Sequence, residues 1–229
     1  SNVIAAERTQ KSNKETNYMN TKYELLRQQK DLETIRNKTI KDFNSICNDF
    51  EIKACQIIDS LQSLSSSSID NANNLIRQTK KCVSEANQRF NQSIIDMNSE
   101  FKRIRKQNNI LNEDFFHKLS SSAPSIQFRS VEVAEHKIRR KVKKNGFLAK
   151  PLRYLAYLFN TDWGYDVYEE TRYEIRDIEE RKRQLDNGLK SQMEWLQDSR
   201  DQSISTLENY CQTVWNVLES RIHSIEEAL

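Results

Sequence analysis

Apolar side chains recur at steps of three and four from Ile69 to Phe115, and no other property of this chain narrows its folding options as much. The row is Ile69, Ala72, Ile76, Thr79, Val83, Ala86, Phe90, Ile94, Met97, Phe101, Ile104, Asn108, Leu111 and Phe115. Side chains spaced in this way line one side of an α-helix, and a row of this length reads as bundle or coiled-coil packing. The opposite side carries Arg77, Lys80, Lys81, Glu85, Arg89 and Lys102, an ordinary solvated face. Helix propensity alone does not hold such a segment in water, so the stripe requires a partner surface. A serine cluster at 120–122 and Pro124 are expected to end the helix.

Two more stripes supply that surface. The first begins near Thr16 and runs through Tyr18, Leu25, Leu32, Ile35, Thr39, Phe43, Ile46, Phe50, Ile57, Leu61 and Leu64. Residues 1–15 before it are polar and aperiodic, and are expected to be disordered or frayed. Residues 65–68 are all serine and break the pattern, which predicts a turn. Ser67 or Ser68 is then placed to cap a helix starting at Ile69, with Asp70 in its first turn. The other stripe starts near Ile175 and includes Ile178, Leu185, Leu189, Leu196, Ile204, Leu207, Cys211, Val214, Leu218, Ile222, Ile225 and Leu229. Gly188 is its one blemish, worth about 1 kcal/mol against alanine.

Composition agrees with this reading. Charged residues make up 30%, hydrophobic ones 36%, and there are only 3 glycines and 2 prolines. That balance suits long helices better than a sheet-centred core. The expected fold class is therefore all-α: an elongated antiparallel bundle of long helices with a small β-hairpin and a basic, aromatic tip inserted before the last helix. The boundaries read 1–15 for the frayed start, 16–123 for a long helical hairpin, 124–173 for the hairpin and tip, and 174–229 for the return helix.

Segment 125–173 is the exception to the helical pattern. Pro151, Gly146 and Gly164 lie in it, with Pro124 at its edge. Two β-forming runs, 126–133 and 165–173, bracket it. Between them a basic stretch, Lys137, Arg139, Arg140, Lys141, Lys143 and Lys144, leads into Phe147, Leu148, Leu152, Tyr154, Leu155, Tyr157, Leu158, Phe159 and Trp163. Basic residues beside an aromatic-rich apolar run suit an anionic bilayer: Lys and Arg are drawn to acidic headgroups at about 1 kcal/mol each, and aromatic and leucine side chains enter the interface. Two other readings stand beside it. The apolar run packs on the bundle end while the basic run is merely solvated, or the segment docks a protein or nucleic acid. Nucleic acid fits the basic run, but no recognised nucleic-acid-binding fold supports it, so it is not an expected partner.

Signs of catalysis are missing. His117, His136 and His223 have no second ligand at metal spacing, and there is no GxSxG, HExxH, EF-hand or GxxxxGK[ST] pattern. No enzyme activity, cofactor or metal is expected. The four cysteines, Cys47, Cys55, Cys82 and Cys211, fit neither a zinc site nor a CxxC pair and read as small buried or half-buried hydrophobes. No secretory signal is apparent at the start, which points to a reducing, cytoplasmic setting with possible attachment at the inner membrane. Arg153 and Lys150 interrupt the one apolar run that approaches spanning length.

The layout resembles the region after the GTPase domain in bacterial dynamin-like proteins: long helix, strand, basic stretch, aromatic segment, strand, helix. The local match is Leu158-Phe-Asn-Thr-Asp-Trp-Gly164, followed by Glu170-Thr-Arg-Tyr-Glu-Ile175. In that family a helical stalk mediates self-assembly and a tip commonly contacts lipid. The resemblance implies lipid-facing or tip-packing roles for Phe147, Leu148, Tyr154, Leu155, Leu158, Phe159 and Trp163, with Lys141, Lys143 and Lys144 facing headgroups. It also implies self-association through the helices and a GTPase domain in cis that this sequence lacks, so either the chain is a fragment or the resemblance is only architectural. Two alternatives come from other classes. One is a cytosolic coiled-coil scaffold whose tip binds a protein such as a replication clamp. The other is an α-helical pore-forming toxin, against which Lys150 and Arg153 speak.

Overall fold

The computed structural model describes residues 2–108, 132–143 and 165–228. Its elements are α1 (Asn2–Gln62), α2 (Ile69–Asn108), β1 (Val133–Lys143), β2 (Tyr165–Ile175) and α3 (Ile178–Ala228). The chain divides into two compact units. One comprises Ser1–Gln56, Lys80–Ile126 and Gly188–Leu229, the other Ile57–Thr79 and Gln127–Asn187.

The first unit is a three-helix bundle. Leu25, Leu32, Ile35, Phe43, Ile46 and Phe50 of α1 are buried, as the stripe predicts. From α2 it takes Ala86, Phe90, Ile94, Met97, Phe101 and Ile104, and from α3 Leu189, Leu196, Leu207, Val214 and Leu218. Each of the large apolar side chains among them contributes about 1.5–3 kcal/mol on leaving water. Rings bind the helices in layers: Phe43 stacks on Phe90 at 4.8 Å, Phe90 lies 6.5 Å from Trp195, and Phe101 meets Tyr210 edge-on at 5.1 Å.

Ion pairs on the bundle surface report its directions. Lys38 with Glu100, Lys53 with Glu85 and Asp49 with Arg89 pair α1 antiparallel to α2. Lys22 with Glu226 and Arg36 with Glu208 do the same for α1 and α3. The expected antiparallel pairing is thus that of α1 with each of the others. α2 and α3 run in the same direction, since Asn87 meets Gln192 and, further along both helices, Asn108 meets Arg221. Parallel neighbours need a long crossover, and the connection between α2 and α3 is long enough to hold the strands.

Several details depart from the stripes. The helix begins at Asn2 and not near Thr16. Positions 7–21 are all exposed, so this polar start is helical on local propensity without packing to cover it. Tyr18, placed in the α1 stripe, is also exposed. Cys82 is buried in place of the expected Val83, because a row stepping three then four serves a helix face as well as one stepping four then three. α3 buries Gln192, Ser199 and Ser203 in its core row, and Ile204 is only half-buried. Ser203 satisfies its hydroxyl on the Ser199 carbonyl at 2.6 Å. Gln192 donates to the Asn87 Oδ1 at 3.0 Å, while its own Oε1 has no hydrogen-bond partner among the described residues. Three cysteines are buried, as expected, and burial pushes the Cys82 and Cys211 thiols up to about 11; Cys55 is exposed.

One polar layer joins all three helices. The Asn108 amide donates to the Gln28 Oε1 at 2.9 Å and to the Ile104 carbonyl at 2.8 Å, and its Oδ1 accepts from Arg221 at 2.6 Å. Buried amides of this kind stabilise only when matched, so the layer favours one alignment of the helices over others.

The second unit contains the turn between α1 and α2, the two strands and the first residues of α3. The turn falls where the serines predict it. α1 closes with Leu64 N–H on the Leu61 carbonyl at 3.2 Å, and Ser68 N–H bonds the Ser65 carbonyl at 3.1 Å. The Ser68 carbonyl accepts the first bond of α2 from Ala72 at 3.0 Å, the role of a helix N-cap, and Asp70 sits in the first turn. The apolar residues of this part include Ile57, Leu61, Ala72 and Leu75, with Leu75 buried where Ile76 was expected. β2 enters α3 through Asp177, whose φ of 50° lies in the left-handed region that aspartate tolerates; α3 therefore begins at Ile178, later than Ile175.

Candidate functional site: a charged two-stranded ribbon

β1 and β2 form a two-stranded antiparallel sheet, paired from Val133 with Ile175 to Lys143 with Tyr165. The strand paired with β2 is 133–143, and of the expected run 126–133 only residues 132 and 133 are described. Val133 opens the strand, and most of that run lies outside the described residues. The basic stretch does not lie between strands. Lys137, Arg139, Arg140, Lys141 and Lys143 are themselves strand residues. At about 3.4 Å per residue, eleven-residue strands make a ribbon roughly 35 Å long.

The ribbon is tied down at one end. The Ile175 N–H bonds the Ser66 carbonyl of the α1–α2 turn at 2.7 Å, and Arg176 N–H bonds the Glu132 carbonyl at 2.9 Å. Arg181, in the first turn of α3, lies 3.8 Å from the Glu132 carboxylate. Ile175 is the one buried residue among those of the ribbon whose burial is described. At the other end Lys143 and Tyr165 are joined by 144–164, outside the described residues. Lys144, Phe147, Leu148, Tyr154, Leu155, Leu158, Phe159 and Trp163, all expected contact residues, fall in that stretch.

Alternation along the strands divides the described cations between two rows. In the even-numbered row Arg140 binds Glu170 at 2.8 Å, Arg172 approaches the same carboxylate at 3.6 Å, and His136 lies 3.9 Å from Glu174. In the odd-numbered row the register sets Lys137 opposite Thr171, Arg139 opposite Glu169, Lys141 opposite Val167 and Lys143 opposite Tyr165. Lys137 and Arg139 are exposed, as are Glu135, Glu169, Thr171 and Tyr173 of the same row. Glu170 and Glu174 lie in the local match at 170–175 but are given no role by the sequence reading; the signal was available in the acidic residues at 166, 170 and 174, which fall on one face of a strand.

Among the described residues no group of three or more His, Cys, Asp or Glu could hold a metal ion, and no helix is long and apolar enough to cross a membrane. A shallow cleft in the second unit, lined by Ile58, Leu61, Gln62, Glu179, Lys182, Arg183 and Asp186, has its cations engaged: Lys182 bonds Glu179 at 3.0 Å and Arg183 pairs with Glu180. What the ribbon offers chemically is an exposed, mixed-charge surface, with cations concentrated on β1 and carboxylates on β2. Set against protein-family models, curated proteins and solved structures, the chain matches none of them.

Proposed function

We propose that this chain is the non-catalytic stalk and tip region of a bacterial dynamin-like GTPase, serving self-assembly and peripheral attachment to an anionic membrane surface. The observation that carries the reading is the insertion, between the second and third helices of a packed bundle, of an exposed two-stranded ribbon whose first strand is rich in lysine and arginine. A bundle supplies a rigid arm with charged outer faces for self-association. The ribbon supplies a cationic strand continuous in sequence with the apolar segment that holds Leu155 and Phe159. Lysines draw the chain to acidic headgroups, and apolar side chains then hold it in the interface.

Co-sedimentation with vesicles tests this. Wild type is expected to pellet with vesicles of phosphatidylglycerol mixed with phosphatidylcholine and to stay in solution with phosphatidylcholine alone. A Leu155→Glu/Phe159→Glu variant is expected to lose the binding. A folded wild type that ignores anionic vesicles would overturn the membrane reading and favour a scaffold with a protein partner.

A further inference from the structure

We infer that the ribbon is a surface on which copies of this chain meet: the outer edge of β1 in one copy adds to the outer edge of β2 in a second, extending the antiparallel sheet from copy to copy. The inference rests on the self-assembly part of the reading above and names a surface for it; it is independent of the bilayer. Among the described residues the sheet has only these two strands, so each presents an eleven-residue edge with no strand beside it. Such an edge is a template for pairing with another chain, and charged side chains of one sign are a common protection against it. Here the two edges differ in sign. β1 carries five Lys or Arg and one Glu, while β2 carries one Arg against one Asp and three Glu. Restricted to residues whose side chains are described, the difference persists, with three cations to one carboxylate on β1 and one to four on β2. Each edge therefore repels its own kind and attracts the other.

Backbone geometry gives the register. Arg176 N–H bonds the Glu132 carbonyl, so the even-numbered pairs exchange the ladder hydrogen bonds and the odd-numbered residues aim N–H and C=O at the outer edges. Ile175 agrees, because its outward N–H reaches the Ser66 carbonyl of the α1–α2 turn at 2.7 Å. That bond closes the β2 edge at Ile175 and leaves Tyr173 as the first open position. An added β1 whose first residue, Val133, meets Tyr173 sets Lys137 beside Glu169 and Arg140 beside Asp166. Within one copy the two cations have uncharged neighbours directly opposite, Thr171 and Tyr168. Lys137, Glu169, Thr171 and Tyr173 are all exposed. Pairing β1 with β1 would instead oppose strands of like charge. Because each copy offers one edge of each sign, the contact is head-to-tail and repeats from copy to copy.

Sedimentation velocity on the full chain, at low salt and without lipid, tests this. Wild type is expected to form oligomers that grow with concentration up to about 500 μM, as suits a small edge contact. Lys137→Glu and Glu169→Lys, each alone, set like charges opposite one another at every contact and are expected to weaken association roughly fivefold. An equimolar mixture of the two variants restores an opposite pair wherever unlike copies meet. It is expected to regain the association of wild type, a recovery that misfolding cannot imitate. Oligomers that either variant leaves unweakened, or a mixture that does not recover, overturn the edge contact and leave self-assembly to the outer faces of the bundle. A wild type that stays monomeric across that range overturns both.

Discussion

The bundle and the ribbon are built on opposite uses of side chains. In the bundle, Phe43, Phe90 and Phe101 are almost completely buried and touch rings on neighbouring helices. Its charges lie on the outside and stitch one helix to the next. In the ribbon, both faces meet solvent, Ile175 alone is buried among the residues whose burial is described, and Val142, Tyr168 and Tyr173 are exposed. A two-stranded sheet with so little cover is marginal by itself, so its ladder depends on the tether to Ser66 and on cross-strand pairs such as Arg140 with Glu170. The difference teaches where each kind of residue is spent. Apolar rings determine stability in the bundle, whereas the described charges of the ribbon lie at its surface and pair across the strands.

Substitutions in the two regions should therefore separate by size. Phe90→Ala removes a ring packed against both Phe43 and Trp195 and is expected to cost about 3–5 kcal/mol in urea unfolding. A loss under about 1 kcal/mol would mean that the aromatic layer does not hold the bundle. Next comes the polar layer. Asn108→Ala leaves Gln28 and Arg221 without their partner and is expected to cost about 1–3 kcal/mol by the same measurement. A neutral result would show that the layer is solvated and does not help to align the helices. The smallest effect belongs to the ribbon. Glu170→Gln weakens the links to Arg140 and Arg172, whose side chains are more than a third exposed, and is expected to shift stability by less than about 1 kcal/mol. A shift as large as that of Asn108→Ala would erase the contrast and make the ribbon part of the cooperative core.

Legibility in the sequence followed the same division. The core of α1 was readable from Leu25 to Leu61, because a buried stripe on a long helix repeats a local signal many times. The serine turn was readable for the same reason, as an interruption of that signal. The burial of Gln192, Ser199 and Ser203 was not, since a polar residue enters a core row only when its neighbours leave it a partner or a small space. The strand at 133–143 was read as a basic stretch between strands. A ribbon exposed on both faces needs no apolar alternation, so lysine and arginine fill its positions without the period that marks a half-buried strand.

What the sequence by itself determined is the presence of three long helices, the break between the first two, and a charged, strand-forming insertion before the third. Those features arise from near neighbours, through helical spacing, caps and breakers, and need no knowledge of the rest of the chain. Tertiary structure alone decided that α2 and α3 run the same way, that Cys82 and not Val83 enters the core, and that Lys137 and Arg140 belong to opposite faces. Each of these is a choice between alternatives that local propensity leaves nearly equal. Contacts between residues far apart in the chain break the tie: Asn108 with Arg221 in the bundle, and the register of Val133 with Ile175 in the ribbon.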